Sequence, residues 1–183
     1  LPIADVREDR IRVYFSSRRN GKSFPRYLDL DKNSPTKIIQ EPKDIEVDLG
    51  PPGFFDNSGI MPTCLLKITQ KIHYLYYIGW SQRIDVPYHN NLGLMVSKDG
   101  GESFSKFSKG PVFATSRLEP GYVGTIDIIR NEKNSRYEGY YLSCRNWLEF
   151  KGKMEPVYNI RHAYSIDGID WTPTENIAVE LSE

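Results

Sequence analysis

Two carboxylates stand at the mouths of strand-like runs. In Phe54-Phe-Asp-Asn-Ser-Gly-Ile-Met-Pro-Thr-Cys-Leu-Leu66, the ionisable Asp56 and the polar Asn57-Ser58 pair come directly before a run that reads as a buried strand. Glu119, in Leu118-Glu-Pro-Gly-Tyr-Val-Gly124, stands in the same way before a later run. A carboxylate placed this way either serves a pocket or is local structure. For Asp56 the local alternative is an Asx-turn with Asn57, Ser58 and Gly59; for Glu119 it is a solvated loop. A third acid, Asp127, lies inside Thr125-Ile-Asp-Ile-Ile129, where strand alternation turns it away from its apolar neighbours.

A second group could bind a ligand without transferring protons. Trp80, Arg83, Tyr88, His89 and Asn90 follow an aromatic run in a segment without strand alternation. Loops at the rim of a scaffold often carry ligand contacts, and aromatic faces suit the apolar face of a sugar ring. Packing inside the scaffold is the competing role for Trp80 and Tyr88. Arg145 and Trp147 recur in Ser143-Cys-Arg-Asn-Trp147; a guanidinium there could hold a carboxylate or phosphate by its two-pronged geometry, or form a salt bridge between units. Nothing in these residue types calls for a metal or a cofactor. The Arg7-Glu-Asp-Arg10 cluster and the Glu149 to Lys153 segment read as solvated turns.

The elements that must position these residues are strands. The 183 residues contain 12 Tyr, 8 Phe, 3 Trp, 14 Gly and 12 Pro, a composition rich in strand and turn formers, so an all-β protein is expected. The 24 basic and 24 acidic residues cancel, giving no electrostatic reason to expect nucleic acid or an anionic membrane as partner. No apolar run approaches the roughly 20 residues that span a bilayer. Localisation stays open, with the cytoplasm slightly favoured. Cys64 and Cys144 sit in apolar or aromatic runs without metal-ligand spacing and read as buried free thiols.

The aromatic runs repeat. Ile11-Arg-Val-Tyr-Phe-Ser-Ser-Arg18, Ile72-His-Tyr-Leu-Tyr-Tyr-Ile-Gly-Trp80 and Tyr137-Glu-Gly-Tyr-Tyr-Leu-Ser-Cys-Arg145 place Tyr14, Tyr76 and Tyr140 at a nearly constant spacing. A period of roughly 60 residues has room for four short strands with turns. Asp56 and Glu119 stand one such period apart. Ser97-Lys-Asp-Gly100 and Ser165-Ile-Asp-Gly168 each end a strand and precede an aromatic. There Asp can bond turn amides, Gly supplies positive φ and the aromatic packs back, so Asp99 and Asp167 are assigned structure and no chemistry. Repeated four-stranded units fit the blades of a β-propeller; a β-sandwich competes but leaves the long period unexplained. The units run approximately over 1–50, 51–115 and 116–183. With about three units against the 4 to 8 blades of usual propellers, the chain is expected to belong to a longer polypeptide or to a ring completed by another chain. Leu1-Pro-Ile-Ala-Asp-Val6 aligns with Met61-Pro-Thr-Cys-Leu-Leu66.

The ordered set VYFSSR, GFFDNSGIMP, YYIGWSQRIDVPYHNNLGLMVSKDGGESF, GPVF, EPGYVGT and YNIRHAYSIDGIDW resembles the glycoside hydrolase-like five-bladed propeller proteins. These comprise arabinanase, invertase and levansucrase-like enzymes, mannoside phosphorylases and uncharacterised relatives. The resemblance implies a funnel on the propeller axis, with acidic residues supplied by the innermost strands of successive blades. Asp56 would then orient the acid or tune its pKa, Glu119 would be the general acid, and a first-blade base or nucleophile would fall before Leu1. Glycoside cleavage needs such carboxylates roughly 5 to 9.5 Å apart. Asn57 stands where several of these families carry proline, and the W-x-N-D-P-type motif of the invertases is absent.

The expectation is therefore a glycosidase or glycoside phosphorylase relative acting on a carbohydrate. Asp56 and Glu119 are the catalytic candidates; Trp80, Arg83, Tyr88, His89, Asn90, Asp127, Arg145 and Trp147 are candidates for substrate contact. A non-catalytic carbohydrate-binding or scaffolding propeller is the alternative. A sialidase-like propeller, suggested by the Ser97 to Phe104 turn, needs clustered arginines, whereas Arg18, Arg145 and Arg161 are scattered over the repeats.

Overall fold

The computed structural model describes residues 2–181, which form strands and no helices. β1 (Ile3–Val6), β2 (Arg10–Arg19), β3 (Lys22–Asp31) and β4 (Ile38–Asp44) form one antiparallel sheet in chain order. β5 (Gly59–Lys67), β6 (His73–Gln82), β7 (Tyr88–Ser97) and β8 (Ser105–Lys106) form a second. β9 (Tyr122–Asn131), β10 (Arg136–Phe150), β11 (Lys153–Ser165) and β12 (Thr172–Val179) form a third. A single parallel pair, Ser23 with Gly59, joins the first sheet to the second. The alignment expected for Leu1 lies outside the described residues.

The sheets pack face to face through two cores. Tyr14, Ile60, Leu75, Tyr77, Met95 and Phe104 fill the space between the first and second sheets. Cys64, Tyr76, Leu92, Leu94, Val123, Ile126, Tyr141 and Ala163 fill that between the second and third. Consecutive residues of β6 thus serve opposite cores, because successive side chains leave a strand on opposite faces. A strand covered on both faces is apolar nearly throughout. The segment after the second aromatic run is strand at both ends: Trp80 lies near the end of β6, Tyr88 to Asn90 open β7, and the loop is only residues 83–87. The outermost strands β4 and β12 are largely exposed, and Pro42 and Pro173 blunt their edges.

The Ser-x-Asp-Gly turns are built as their residue types require. Asp99 Oδ1 accepts from the amides of Glu102 and Ser103 at 3.1 and 3.0 Å, and Asp167 Oδ1 from those of Ile169 and Asp170 at 2.8 and 2.9 Å. Gly100 and Gly168 hold φ of 76° and 74°, which favours glycine. Each turn also meets a tyrosine of the preceding sheet. Tyr14 donates to the Gly101 carbonyl at 3.3 Å and its ring meets Phe104 edge-on at 5.7 Å. Tyr76 donates to the Gly168 carbonyl and its ring meets Trp171 at 6.3 Å. Both thiols are buried and free.

In the Arg7 to Arg10 turn Glu8 and Asp9 are exposed as expected, but the two arginines are not free in solvent. Arg7 donates to Asp5 at 2.8 Å and to the Gly101 carbonyl at 3.0 Å, and both Arg7 and Arg10 pair with Glu102 of the second sheet. Arg12 forks onto Asp29 at 2.8 and 2.9 Å and also reaches the Gly101 carbonyl. Charges distant in sequence thereby staple the first sheet to the second. On the third sheet, Glu138 accepts from Arg136 at 2.8 Å and lies 2.8 Å from His162 Nε2.

Burial opposes ionisation of Glu138, but the bonds from Arg136, His162, Asn134 and Asn131 outweigh it and hold its pKa at about 2, against an ordinary 4.5. A depressed folded-state pKa contributes stability that is fully present above the unfolded value and is lost as pH falls through the folded one. Thermal unfolding of the wild type and of Glu138→Gln should therefore differ most near pH 6 and converge between about pH 4.5 and 2. A pH-independent gap would mean that the pair contributes packing alone.

Candidate functional site

Nine of the ten nominated side chains gather at one end of the sheets. That end comprises the starts of β5, β7, β9 and β11 and the ends of β6 and β10. The Ser-x-Asp-Gly turns follow β7 and β11 and so lie at the opposite end. Asp127, the exception, sits midway along β9, exposed, with Oδ1 accepting from the Ile128 amide at 3.0 Å.

Glu119 is fully buried. Its Oε1 accepts from the Tyr141 hydroxyl at 2.7 Å and from Arg161 Nη1 at 3.0 Å, while Ser143 Oγ donates to Oε2. Arg145 Nη1 lies 3.6 Å from Oε2 and donates to the Leu118 carbonyl at 2.7 Å. Tyr141 and Ser143 are alternate residues of β10 and reach the carboxylate from one face; a bulge between Cys144 and Asn146 then resets the alternation, with Arg145 beside the carboxylate and Trp147 in an aromatic cluster beyond it. In that cluster the Trp147 ring lies 5.4 Å from Tyr88 and 5.8 Å from Tyr122. His89 meets Tyr122 at 6.4 Å; burial, then the nearby Arg83 charge, hold His89 below its ordinary pKa. Loop 83–87 and residues 153–156 at the start of β11 line an adjacent open cleft.

Asp56 occupies the equivalent place one unit earlier, on the other side of β6. It is 1% exposed, and its Oδ2 accepts from the Tyr77 hydroxyl at 3.1 Å and from Lys106 Nζ at 2.5 Å. The turn-capping alternative named the wrong partners: these are side chains of β6 and β8 rather than turn amides. Phe55 stacks on Tyr77, and both Phe55 and Asp56 press on Gly79, where an added Cβ would fall 2.8 Å from Asp56 Cβ. Asp56 Oδ1 has no hydrogen-bond partner among the described residues. The same is true of Trp80 Nε1 and Asn90 Oδ1, whose residues are register partners across β6 and β7. Arg18 lies over the Trp80 ring at 5.0 Å. Trp80 is thus packed against the first sheet rather than open at a rim.

Contacts therefore join Glu119 with Arg145, and Trp147 with Tyr88 and, through Tyr122, with His89. Among the described residues no hydrogen bond or ion pair links Asp56 to Glu119. Sequence reasoning missed Tyr77 and Tyr141, the hydroxyls that hold the two carboxylates, although they occupy equivalent places one repeat apart. It also missed Lys106 as partner of Asp56, a charge for which nothing local gives a signal.

No family model matches the chain. Two uncharacterised proteins of Mycobacterium tuberculosis, from strains CDC 1551 / Oshkosh and ATCC 25618 / H37Rv, are 28% identical over 185 residues; the alignment takes in all of this chain and 60% of theirs. The chain thus spans less than two thirds of the length of these curated relatives. Among solved structures, an α-L-arabinofuranosidase from Lactobacillus brevis superposes with a TM-score of 0.63 at 13% identity, over 96% of this chain and 55% of that one. A member of the GH130 family of mannoside phosphorylases, a family that contains hydrolases targeting β-1,2-mannosidic linkages in Candida mannan, gives 0.61 at 15%, over 97% and 50%. A family 117 glycoside hydrolase from Zobellia galactanivorans gives 0.57 at 14%, over 94% and 44%. The chain has the all-β fold of glycoside hydrolase-like propeller proteins.

Removing one partner of a buried ion pair costs about 3–5 kcal/mol, against about 0–1 for an exposed pair. Glu119→Ala leaves Arg161, 7% exposed, facing no carboxylate and should lose stability in the first range. Arg145→Ala, whose side chain is 37% exposed, should fall near the second. Urea denaturation of the two variants checks the order; equal losses would deny Glu119 its structural part.

Proposed function

We propose that the chain contributes to a carbohydrate-active propeller of the glycosidase type, with ligand bound at the end of the sheets where the nominated residues gather. One observation carries this reading: Asp56, Trp80 and Asn90 each bury a polar atom without a partner at that end. Leaving such an atom unsatisfied costs about 1–3 kcal/mol, and a sugar, whose hydroxyls both donate and accept, supplies the missing bonds. Tyr88 and Trp147 add aromatic surface for the ring's apolar face, and Arg83 and Arg145 add cations for an anionic group, which keeps phosphorolysis beside hydrolysis as the reaction. In this reading Asp56 and Glu119 are the acidic pair, and Asp127 contacts substrate from the inner strand β9. The three sheets are three blades, over approximately 1–50, 51–115 and 116–183. The solved structures with this fold include enzymes named for glycosidic bonds, which supports the substrate class.

A second reading, a propeller that binds carbohydrate or scaffolds without cleaving it, is favoured by the engagement of Glu119. Tyr141, Ser143 and Arg161 use its acceptor positions, and no atom of it reaches solvent. A carboxylate in that state acts on a ligand only if the Leu118 to Pro120 segment moves.

The polypeptide expressed from its complete reading frame should hydrolyse or phosphorolyse members of a glycoside panel. Acid–base residues contribute about 10²–10⁴-fold, so Asp56→Asn or Glu119→Gln should lower kcat/KM by such a factor with the melting temperature monitored in parallel. Trp147→Ala should instead raise KM. Sugar binding without turnover, unchanged in Asp56→Asn, would establish the second reading.

A further inference from the structure

The two buried carboxylates are held alike on one oxygen and differently on the other. In the third sheet Arg161 faces Tyr141 across β11 and β10, and Ser143 stands two residues beyond Tyr141; together the three occupy both oxygens of Glu119. The corresponding places in the second sheet are Gly93, which faces Tyr77 across β7 and β6, and Gly79, two residues beyond Tyr77. Neither place has room for a side chain: a Cβ on Gly93 would fall 2.1 Å from Tyr77 Cζ, and one on Gly79 would fall 2.4 Å from Phe55 Cε2. The counter-charge of Asp56 comes instead from one strand farther out, from Lys106 on β8. The Lys106 ammonium and the Tyr77 hydroxyl share Oδ2 at 2.5 and 3.1 Å, and Oδ1 is left without a partner among the described residues. Gly50 borders Oδ1 so closely that a Cβ there would fall 2.2 Å from it. Gly50 lies between β4 and β5, outside any strand, and the oxygen opens to a ligand where this backbone gives way.

We propose that Lys106 is a positioning residue for the carbohydrate site: by fixing Asp56 through Oδ2, it reserves Oδ1 to accept a hydrogen bond from a sugar hydroxyl. This role rests on the carbohydrate-active reading of the same end and adds to it the group that decides which oxygen of Asp56 meets the ligand. An ammonium is a compact charge that engages one oxygen, whereas a guanidinium fork frequently engages both. The second donor, Tyr77, converges on the oxygen that Lys106 already holds, whereas the donors to Glu119 are divided between its two oxygens. A cation present only to balance charge would gain by leaving no acceptor unmet. Here one oxygen of a carboxylate that is 1% exposed stays buried without a bond, which is unfavourable until a donor arrives.

Lys106 borders open clefts on both sides of β8, one of them about 460 Å³, which give a small amine access to its place. The polypeptide expressed from its complete reading frame is assayed on a glycoside panel with and without ethylammonium. Lys106→Ala should lower kcat/KM about 100-fold, the cost of a group misplaced by about 1 Å, and ethylammonium standing in for the lost head group should restore at least about tenfold of it. In a polypeptide that binds sugar without turnover, Kd should rise with Lys106→Ala and fall again with ethylammonium. Lys106→Met, which keeps the bulk of the stem, should show the loss without the rescue. Melting temperatures are followed in parallel, because both variants also lose an ion pair. Variants that melt lower but keep kcat/KM and Kd would make Lys106 a counter-charge only, overturning its positioning role and leaving the carbohydrate reading intact. An unaltered polypeptide that neither binds nor turns over any member of the panel overturns both.

Discussion

A four-stranded sheet with apolar side chains on both faces has to be covered twice, and the rest of this molecule follows from that constraint. β6 shows it most directly, sending Leu75 and Tyr77 into one core and Tyr76 into the other. Burying one such side chain contributes about 1.5–3 kcal/mol, so a sheet left open on one side forgoes a large share of its stabilisation. The chain meets the constraint by stacking like sheets in series, and the hydrogen-bonded ladders stay within each sheet apart from the Ser23 and Gly59 pair.

Burial alone does not fix how one sheet sits on the next, since apolar contact has no direction. Direction comes from polar groups at the two ends of each interface. At one end a tyrosine hydroxyl meets a turn carbonyl; at the other a tyrosine hydroxyl, Tyr77 or Tyr141, holds a buried carboxylate standing before an inner strand. Between the first two sheets the guanidinium of Arg12 donates at 2.9 Å to the same Gly101 carbonyl as Tyr14 and reinforces that point. The carboxylates nominated for chemistry are therefore also part of the register of the stack. A substitution there reads out in folding as well as in function.

The fold was legible because its signals are local and periodic. Recurrent aromatic strands, Ser-x-Asp-Gly turns and the even spacing of Tyr14, Tyr76 and Tyr140 are visible without knowing any contact. The end of the sheets where the candidates gather was legible for the same reason, since strand order decides which residues share an end. Partners were not legible. Lys106 is far along the chain from Asp56, and Glu102 is farther still from Arg7; no periodicity announces such pairs. The Arg7 to Arg10 cluster was read as solvated because charge runs usually are, and that reading failed where the second sheet brought Glu102 and the Gly101 carbonyl to it.

Trp80 shows how far residue type carries an argument about function. An indole at the end of an aromatic strand suits a sugar and suits a sheet interface equally well, and the interface has taken most of it: the ring is 6% exposed beneath Arg18. What packing has not taken is Nε1. Buried donors and acceptors without partners are uncommon in native proteins and call for an explanation, and here three of them, on Asp56, Trp80 and Asn90, fall among residues singled out for other reasons. Apolar surface can be buried for stability alone, whereas an orphaned polar atom costs stability in the unliganded molecule. Unsatisfied buried atoms also occur at the opposite end, His73 Nδ1 and Trp171 Nε1 among them, so the orphaned atoms support the proposed site only together with the carboxylates and aromatic rings beside them.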